Sequence, residues 1–398
     1  MMDAEFDVPV VLVMFSRPDH TRAVFDRLAA IRPAQLFVIA DGPRSHRPDD
    51  PRKCMESRAI LERVDWKCKL HTNFSDTNLG CRGRVSSGLD WVFEQVDRAI
   101  ILEDDCVPDP SFFPFCAELL ERYRDDARIR TISGSNFLFG KTRAFWSYHF
   151  STFHDIWGWA TWRRSWRRID MAMRSWPQVR DEGWLVDMVG GDRRAAKFWG
   201  FRFEETYAGR INSWAYPYLF SCWLDNSLAV TPNRNLVSNI GAGADASHTV
   251  NAAPYLNRVL DEIRFPLIHP PFMICDRVSE EETFRRRYLP ERSALLRRLA
   301  RRLYYALPGT GARHPVKLGR GRLFDRDVDP VAPTTRAGAA PRSNGWEPTV
   351  VTCGADVAAP AMAGRRGRHD LARRPGANQA SPVSRYRDWP KRESQAEE

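Results

Sequence analysis

The sequence predicts an α/β fold, a mostly parallel sheet with helices on both faces. Two observations carry this expectation. Short continuous apolar runs alternate with stretches of helical periodicity over the first hundred residues, and the polar clusters fall where the apolar runs end. Val8 to Phe15 is a continuous apolar run with Pro9 near its start and Arg17-Pro18 beyond it, as in a strand buried on both faces. Asp19 reads as a helix cap; Val24, Phe25, Leu28 and Ile31 then recur at helical spacing until Pro33 stops the helix. Leu36 to Ala40 is the second strand, Met55 to Val64 a helix, Lys69 to Asn73 a strand, Arg84 to Val96 a helix and Ala99 to Leu102 a strand. Ligands of such sheets bind at the carboxyl ends of strands. Three of those ends are polar: Ser16-Arg17, Asp41-Gly42 and Glu103-Asp104-Asp105.

Beyond residue 130 the alternation loosens and tryptophan accumulates, in Trp157-Gly158-Trp159-Ala160-Thr161-Trp162 and at Trp166 and Trp176. This half is expected to complete the sheet and to build a wall facing an acceptor. Of the 398 residues, the apolar ones are concentrated before about residue 275. The organisation expected is a domain over residues 1–275, a basic helical extension over 276–325, and a disordered Pro/Ala/Gly/Arg-rich tail over 326–398.

The formal charge of +10 comes largely from that tail, while acids and bases are interspersed in the first 280 residues. With no RNP, zinc-finger or helix-turn-helix signature, nucleic acid is not an expected partner. No apolar run approaches the roughly 20 residues that cross a bilayer, and the acidic start does not resemble a signal peptide, so the chain reads as cytoplasmic. The eight cysteines have no C-x-x-C pair or zinc-ligand spacing and read as free thiols. Over residues 292–307, Leu295, Leu296, Leu299, Leu303 and Leu307 recur at helical steps, opposed mainly by Arg297, Arg298, Arg301 and Arg302. Such a helix either packs onto the domain or makes peripheral contact with an anionic membrane on its inner face.

The chemistry centres on Glu103-Asp104-Asp105. An apolar strand, Ile100-Ile101-Leu102, delivers three carboxylates to its open end. That clustering is costly unless a cation or donors compensate it. Hard cations, Mg²⁺ or Mn²⁺, take carboxylate oxygens and neutralise the charge of a departing diphosphate.

The stretch from Ala99 through Glu103-Asp104-Asp105 to Cys106-Val107-Pro108-Asp109-Pro110-Ser111-Phe112-Phe113 resembles the metal-site segment of Golgi N-acetylglucosaminyltransferase I and its bacterial relatives. Phe15-Ser16-Arg17-Pro18 and Val38-Ile39-Ala40-Asp41-Gly42 upstream, and Ile132-Ser133-Gly134-Ser135-Asn136 and Asp155-Ile156-Trp157-Gly158-Trp159 downstream, are similar to further segments of that family in the same order, over roughly residues 8 to 250. The resemblance implies a GT-A fold and a metal-dependent glycosyltransferase that moves a sugar from a nucleotide-diphosphate donor, a UDP-sugar for preference, to a glycan or lipid-linked acceptor in polysaccharide biosynthesis. Carried over, Asp105 is the metal ligand, Glu103 and Asp104 contact the donor's ribose and sugar, Arg17 lies near the diphosphate and Asp41 near the base. Guanidinium suits bidentate phosphate contact, and a carboxylate can accept a uracil N3–H.

The departure from the family is at the catalytic base. Ile211-Asn212-Ser213-Trp214-Ala215-Tyr216, the counterpart of an Asp-Asp-Trp segment, has no carboxylate. Asp155, Glu204 and Glu205 are the nearby candidates, and a retaining mechanism stays open. His248, in a Gly-rich loop, reads either as a late metal ligand or as an ordinary loop residue, and Trp159 and Trp214 either as pocket rim or as core. The alternatives are a nucleotidyltransferase, which would need a Gly-rich basic loop where Ser16-Arg17-Pro18-Asp19 stands, and a non-catalytic sugar-nucleotide-binding or accessory protein that keeps the fold.

Overall fold

The computed structural model describes residues 6–241 and 255–289, all within one compact unit spanning Met1–Pro315. The strands are β1 (Val10–Met14), β2 (Gln35–Ala40), β3 (Lys69–Phe74), β4 (Arg98–Glu103), β5 (Cys106–Pro108), β6 (Ile129–Ser133), β7 (Tyr148–Ser151), β8 (Trp159–Trp162), β9 (Leu228–Pro232) and β10 (Val237–Asn239). Eight form one sheet in the order β3-β2-β1-β4-β8-β6-β9-β7, and β10 pairs with β5 in a separate ribbon. Strands β3, β2, β1, β4, β6 and β9 run one way; β8 and β7 run against them. The fold is therefore α/β on a mostly parallel sheet, as the sequence predicts.

The helices in chain order are α1 (Pro18–Ile31), α2 (Asp50–Ala59), α3 (Gly80–Gln95), α4 (Phe112–Arg122), α5 (Arg163–Trp166), α6 (Trp176–Asp181), α7 (Leu185–Met188), α8 (Arg193–Tyr207), α9 (Ala215–Leu224) and α10 (Arg277–Thr283). The period-2 geometry of the strands sorts their side chains between two layers. Val10, Leu12 and Met14 of β1, with Ile100 and Leu102 of β4, pack against Val24, Phe25 and Leu28 of α1 and Phe112, Phe115 and Leu119 of α4. Val11, Val13, Ala99 and Ile101 face the other way, onto Val85, Leu89, Val92 and Phe93 of α3 and Tyr218 and Cys222 of α9. Each such fully buried large apolar side chain is worth about 1.5–3 kcal/mol. Helix α3 sits so close to β2 that a Cβ at Gly88 would lie 2.5 Å from Ile39, which fixes the depth at which its N-terminus meets the strand ends.

Several boundaries differ from the sequence expectation for physical reasons. Asp19 is not a cap: α1 starts at Pro18, and Asp19 lies exposed in its first turn, paired with Arg22. Helix α2 begins at Asp50, whose buried carboxylate is gripped by Arg44 at 2.6 and 2.9 Å. Helix α3 begins at Gly80, four residues before the expected start, because its first N–H groups are satisfied by Asp41 of a different strand end. Past residue 130 the alternation fails because β8 inserts antiparallel between β4 and β6. Most of the tryptophan-rich half is core: Trp159, Trp162, Trp166 and Trp176 are buried, and Trp176, Trp199, Phe203, Phe220 and Trp223 form a third cluster under α6 to α9.

Residues 277–288, expected in a basic extension, pack on this body. Glu280 accepts hydrogen bonds from Ser151 and Thr152, and Phe284 joins the third cluster. Among the described residues no helix is long and apolar enough to cross a membrane. The candidate membrane helix over 292–307 and the tail lie outside the described residues.

Candidate active site

The carboxyl ends of β1, β2 and β4 open with the N-terminus of α3 onto one cleft of about 370 Å³. It lies where the strand order reverses: the chain leaves β1 for β2 and β3 on one side and returns to β4 on the other. Val13 of β1 is in register with Glu103 of β4, so the residues after each strand meet across the gap. Phe15, Arg17, Asp41, Glu103, Asp104 and Asp105 all line it.

The three acids differ in what holds them. Asp104, 7% exposed, accepts the Phe15 N–H at 3.1 Å. Asp105 accepts from Arg17 Nη1 at 2.9 Å on Oδ2 and from Asn239 Nδ2 at 3.1 Å on Oδ1. Arg17 also approaches Asp104, at 3.9 Å. Burial, and then repulsion from Asp105 and Asp104, pushes the Glu103 carboxyl up to about 8, against a hydrogen bond from Trp214. Burial and Asp105 likewise push Asp104 up to about 7, with Arg17 opposing. Among the described residues Arg17 is the cation that opposes both shifts, and it does not cancel them.

Asp105 also faces the ribbon. Asn239 is in register with Cys106, the Ile240 N–H donates to the Asp105 carbonyl at 2.8 Å, and a Cβ at Gly241 would lie 2.0 Å from Asp105 Oδ2. Only glycine leaves room beside that oxygen. His248 lies outside the described residues, seven positions beyond Gly241. Among the described residues no three His, Cys, Asp or Glu side chains form a ready metal cage. Mg²⁺-type cations are commonly held by one or two carboxylates completed by substrate phosphates and water. Asp105, lining the cleft and with only a glycine beside its Oδ2, fits that mode.

Asp41 lines the cleft, yet its carboxylate is occupied by the protein. Oδ1 accepts the N–H groups of Gly42 and Leu79, both at 2.9 Å, and Oδ2 accepts Asn78 Nδ2 and the Gly80 N–H, both at 3.0 Å. Four donors use the lone-pair capacity of a carboxylate. The expected contact to a base would have to displace one of them. In this structure Asp41 caps α3 and folds the turn before it, and Asp41-Gly42 is no simple turn: a Cβ at Gly42 would lie 2.5 Å from the Thr77 backbone.

A second cleft of about 440 Å³ adjoins the first, and Cys81, Glu103 and Trp157 line both. Its walls include Trp157, Tyr216, Tyr255, Tyr288, Arg202 and Arg287. Of the three candidate bases only Asp155 lies here, buried and paired with Arg287. Glu204 and Glu205 face elsewhere, Glu204 held by Trp176 and Arg180 and Glu205 by Arg210, pairings that lower both carboxyls below the ordinary range. Burial lowers neighbouring His154 to about 3, so its imidazole is neutral. Trp159 is fully buried and stacks on Trp214 with ring centroids 5.5 Å apart, so it is core and not rim. Trp214, 1% exposed, reaches the second cleft only at its wall.

Sequence reasoning missed Asn78, Arg44 and Arg84 in the first cleft and Arg202 and Arg287 in the second. Asn239 and Gly241 carried a faint signal, since they open the Gly-rich segment that holds His248. The arginines carried none, as they are brought in by helices and segments remote in sequence.

No family model matches this chain, and no curated protein matches it. Solved structures with some likeness include a 4-diphosphocytidyl-2C-methyl-D-erythritol synthase from Anaerococcus prevotii, at 8% identity and TM-score 0.26, covering 41% of this chain and 76% of that one. A mannosyltransferase from Pyrobaculum calidifontis in complex with GDP-Man and Mn²⁺ has 10% identity and TM-score 0.32, covering 56% of this chain and 70% of that one. A UDP-glucose pyrophosphorylase complexed with UDP-glucose has 10% identity and TM-score 0.21, covering 36% of this chain and 62% of that one. The chemistry of this chain rests on its own residues.

Proposed function

We propose that this protein is a glycosyltransferase of the GT-A type that moves a sugar from a nucleotide-diphosphate donor to a glycan or lipid-linked acceptor. A single observation carries the reading: a carboxylate triplet at the end of β4 and an arginine at the end of β1 meet in one cleft at the reversal of strand order, with a second cleft sharing Glu103. Ligand sites of α/β sheets lie at such reversals. The donor would occupy the first cleft and the acceptor the second, with Glu103 at their junction.

A divalent cation bound there, Mn²⁺ or Mg²⁺, would neutralise the charge that develops on a departing diphosphate. Asp105 would hold it, and Glu103 and Asp104 would face the donor's sugar and ribose. Arg17 pairs with Asp105; with a donor bound its guanidinium would exchange that carboxylate for the diphosphate, for which its geometry is suited. Asp41 orders the turn that carries Asn78 and the start of α3, and so shapes the cleft through backbone. Asp155 is our candidate for taking the acceptor's proton, since it borders the second cleft; its pairing with Arg287 keeps it oriented.

The test is a thermal-shift panel of nucleotide sugars with and without Mn²⁺, followed by donor hydrolysis on the stabilising one. Stabilisation that needs both nucleotide and cation supports the reading, and hydrolysis separates an enzyme from an accessory protein that only binds. Equal melting with every nucleotide, metal or none, would refute it.

A further inference from the structure

The second cleft carries a cation that its own acids do not answer. Arg287 is committed to Asp155, but Arg202, on α8, has no ion pair and no side-chain hydrogen bond among the described residues. Its guanidinium stacks over Phe198 and Phe201, with Cζ 5.4 and 5.9 Å from the ring centroids. Its Nε is buried without a partner, as is the indole Nε1 of Trp199, 2% exposed, in the same wall. Buried donors left unpaired cost about 1–3 kcal/mol each. Both of these atoms are closed to solvent, so a ligand in the cleft would meet the Arg202 guanidinium through its Nη groups, and a cation without an ion pair there is matched by an anionic oxygen.

We propose that the second cleft recognises its acceptor glycan through an anionic substituent, a carboxylate or a phosphate, set against Arg202. This rests on the reading of that cleft as the acceptor's. A neutral sugar would leave the guanidinium with only aromatic faces for company in a partly desolvated site. An anionic oxygen pair accepts charge-assisted, bidentate hydrogen bonds from it, which also fixes the ring's orientation. The donor's own phosphates do not answer Arg202, because it does not line the first cleft, where Arg17 and Arg44 do. Trp157 and Tyr288 line the same cleft as Arg202 and Glu103, and aromatic rings of that kind pack against a sugar body.

Titration calorimetry on the full chain, with a uronic-acid disaccharide, a hexose 1-phosphate and a neutral disaccharide as probes, each repeated with UDP and Mn²⁺ present, tests this. At least one anionic probe should bind tenfold or more tighter than the neutral one, with UDP present or absent. The two anionic probes distinguish a carboxylate from a phosphate. Arg202→Gln should lose that preference by tenfold or more, Arg202→Lys should keep part of it, and both should bind UDP with Mn²⁺ like the unaltered protein, which also establishes that they fold. Equal affinity for neutral and anionic probes, an unchanged preference in Arg202→Gln, or no binding of either anionic probe at millimolar concentration would overturn the proposal. Failure of the unaltered protein to bind any nucleotide would count against the donor reading alone, since the glycan titrations do not depend on it.

Discussion

Asp41→Ala separates a residue that reads the donor's base from one that builds the cleft. Asp41 is 6% exposed and takes four hydrogen bonds of 2.9–3.0 Å, three from backbone N–H groups and one from Asn78. Alanine leaves those donors without an acceptor where water has little access. At about 1–3 kcal/mol per unsatisfied donor, with partial relief by local relaxation, the loss should be about 3–5 kcal/mol. Asp41→Asn keeps the shape and one oxygen, but its NH₂ faces the Gly80 N–H, and turning the Asn78 amide to meet it would give up the bond from Asn78 Nδ2 to the Gly42 carbonyl, so a loss of about 2–4 kcal/mol is expected. Urea unfolding of the nucleotide-free proteins measures both, and calorimetry with UDP, GDP and CDP follows any change in base preference. The structural reasoning fails if Asp41→Ala is within about 0.5 kcal/mol of the unaltered protein while its preference among bases collapses, for then the carboxylate serves the ligand and not the turn.

Asp105→Ala should abolish the cation dependence of donor binding and cost less stability than Asp41→Ala, because the loss of its bonds from Arg17 and Asn239 is offset by relief of the repulsion that raises Glu103 and Asp104; near-normal transfer by the variant would sink the metal assignment. Gly241→Ala should weaken cation-dependent donor binding by tenfold or more, since its Cβ would sit 2.0 Å from Asp105 Oδ2, and an unaltered donor titration would count against that oxygen's role. For Glu103, raised from about 4.5 to about 8, the folded metal-free protein keeps a proton that the unfolded chain releases. Stability from this group is therefore full below about 4.5 and lost as pH rises through about 8. Glu103→Gln should remove that decline, so melting temperatures of the two proteins in chelator, followed from pH 5 to 9, should diverge upward in favour of the variant; parallel curves would refute the shift.

What the sequence determined by itself is what depends on neighbours along the chain. The apolar run Val10–Met14 and the helical spacing of Val24, Phe25 and Leu28 select strand and helix through local periodicity, and such alternation admits few topologies besides a mostly parallel sheet. The acids Glu103, Asp104 and Asp105 stood out for the same reason, as charges that end an apolar strand. Only the tertiary structure decided the partners of those groups. Asp41 caps a helix that starts 39 residues later, Asn239 reaches Asp105 through an antiparallel ribbon, and β8 turns against β4. Tryptophan identity could not say which rings are core, and Trp159 is buried while Trp157 lines both clefts. Hydrogen bonds and ion pairs act over about 3 Å in space and carry no trace of the separation in sequence that they bridge. Arg202 and Arg287 therefore read as two more arginines in a basic chain until the fold sets both beside one cleft.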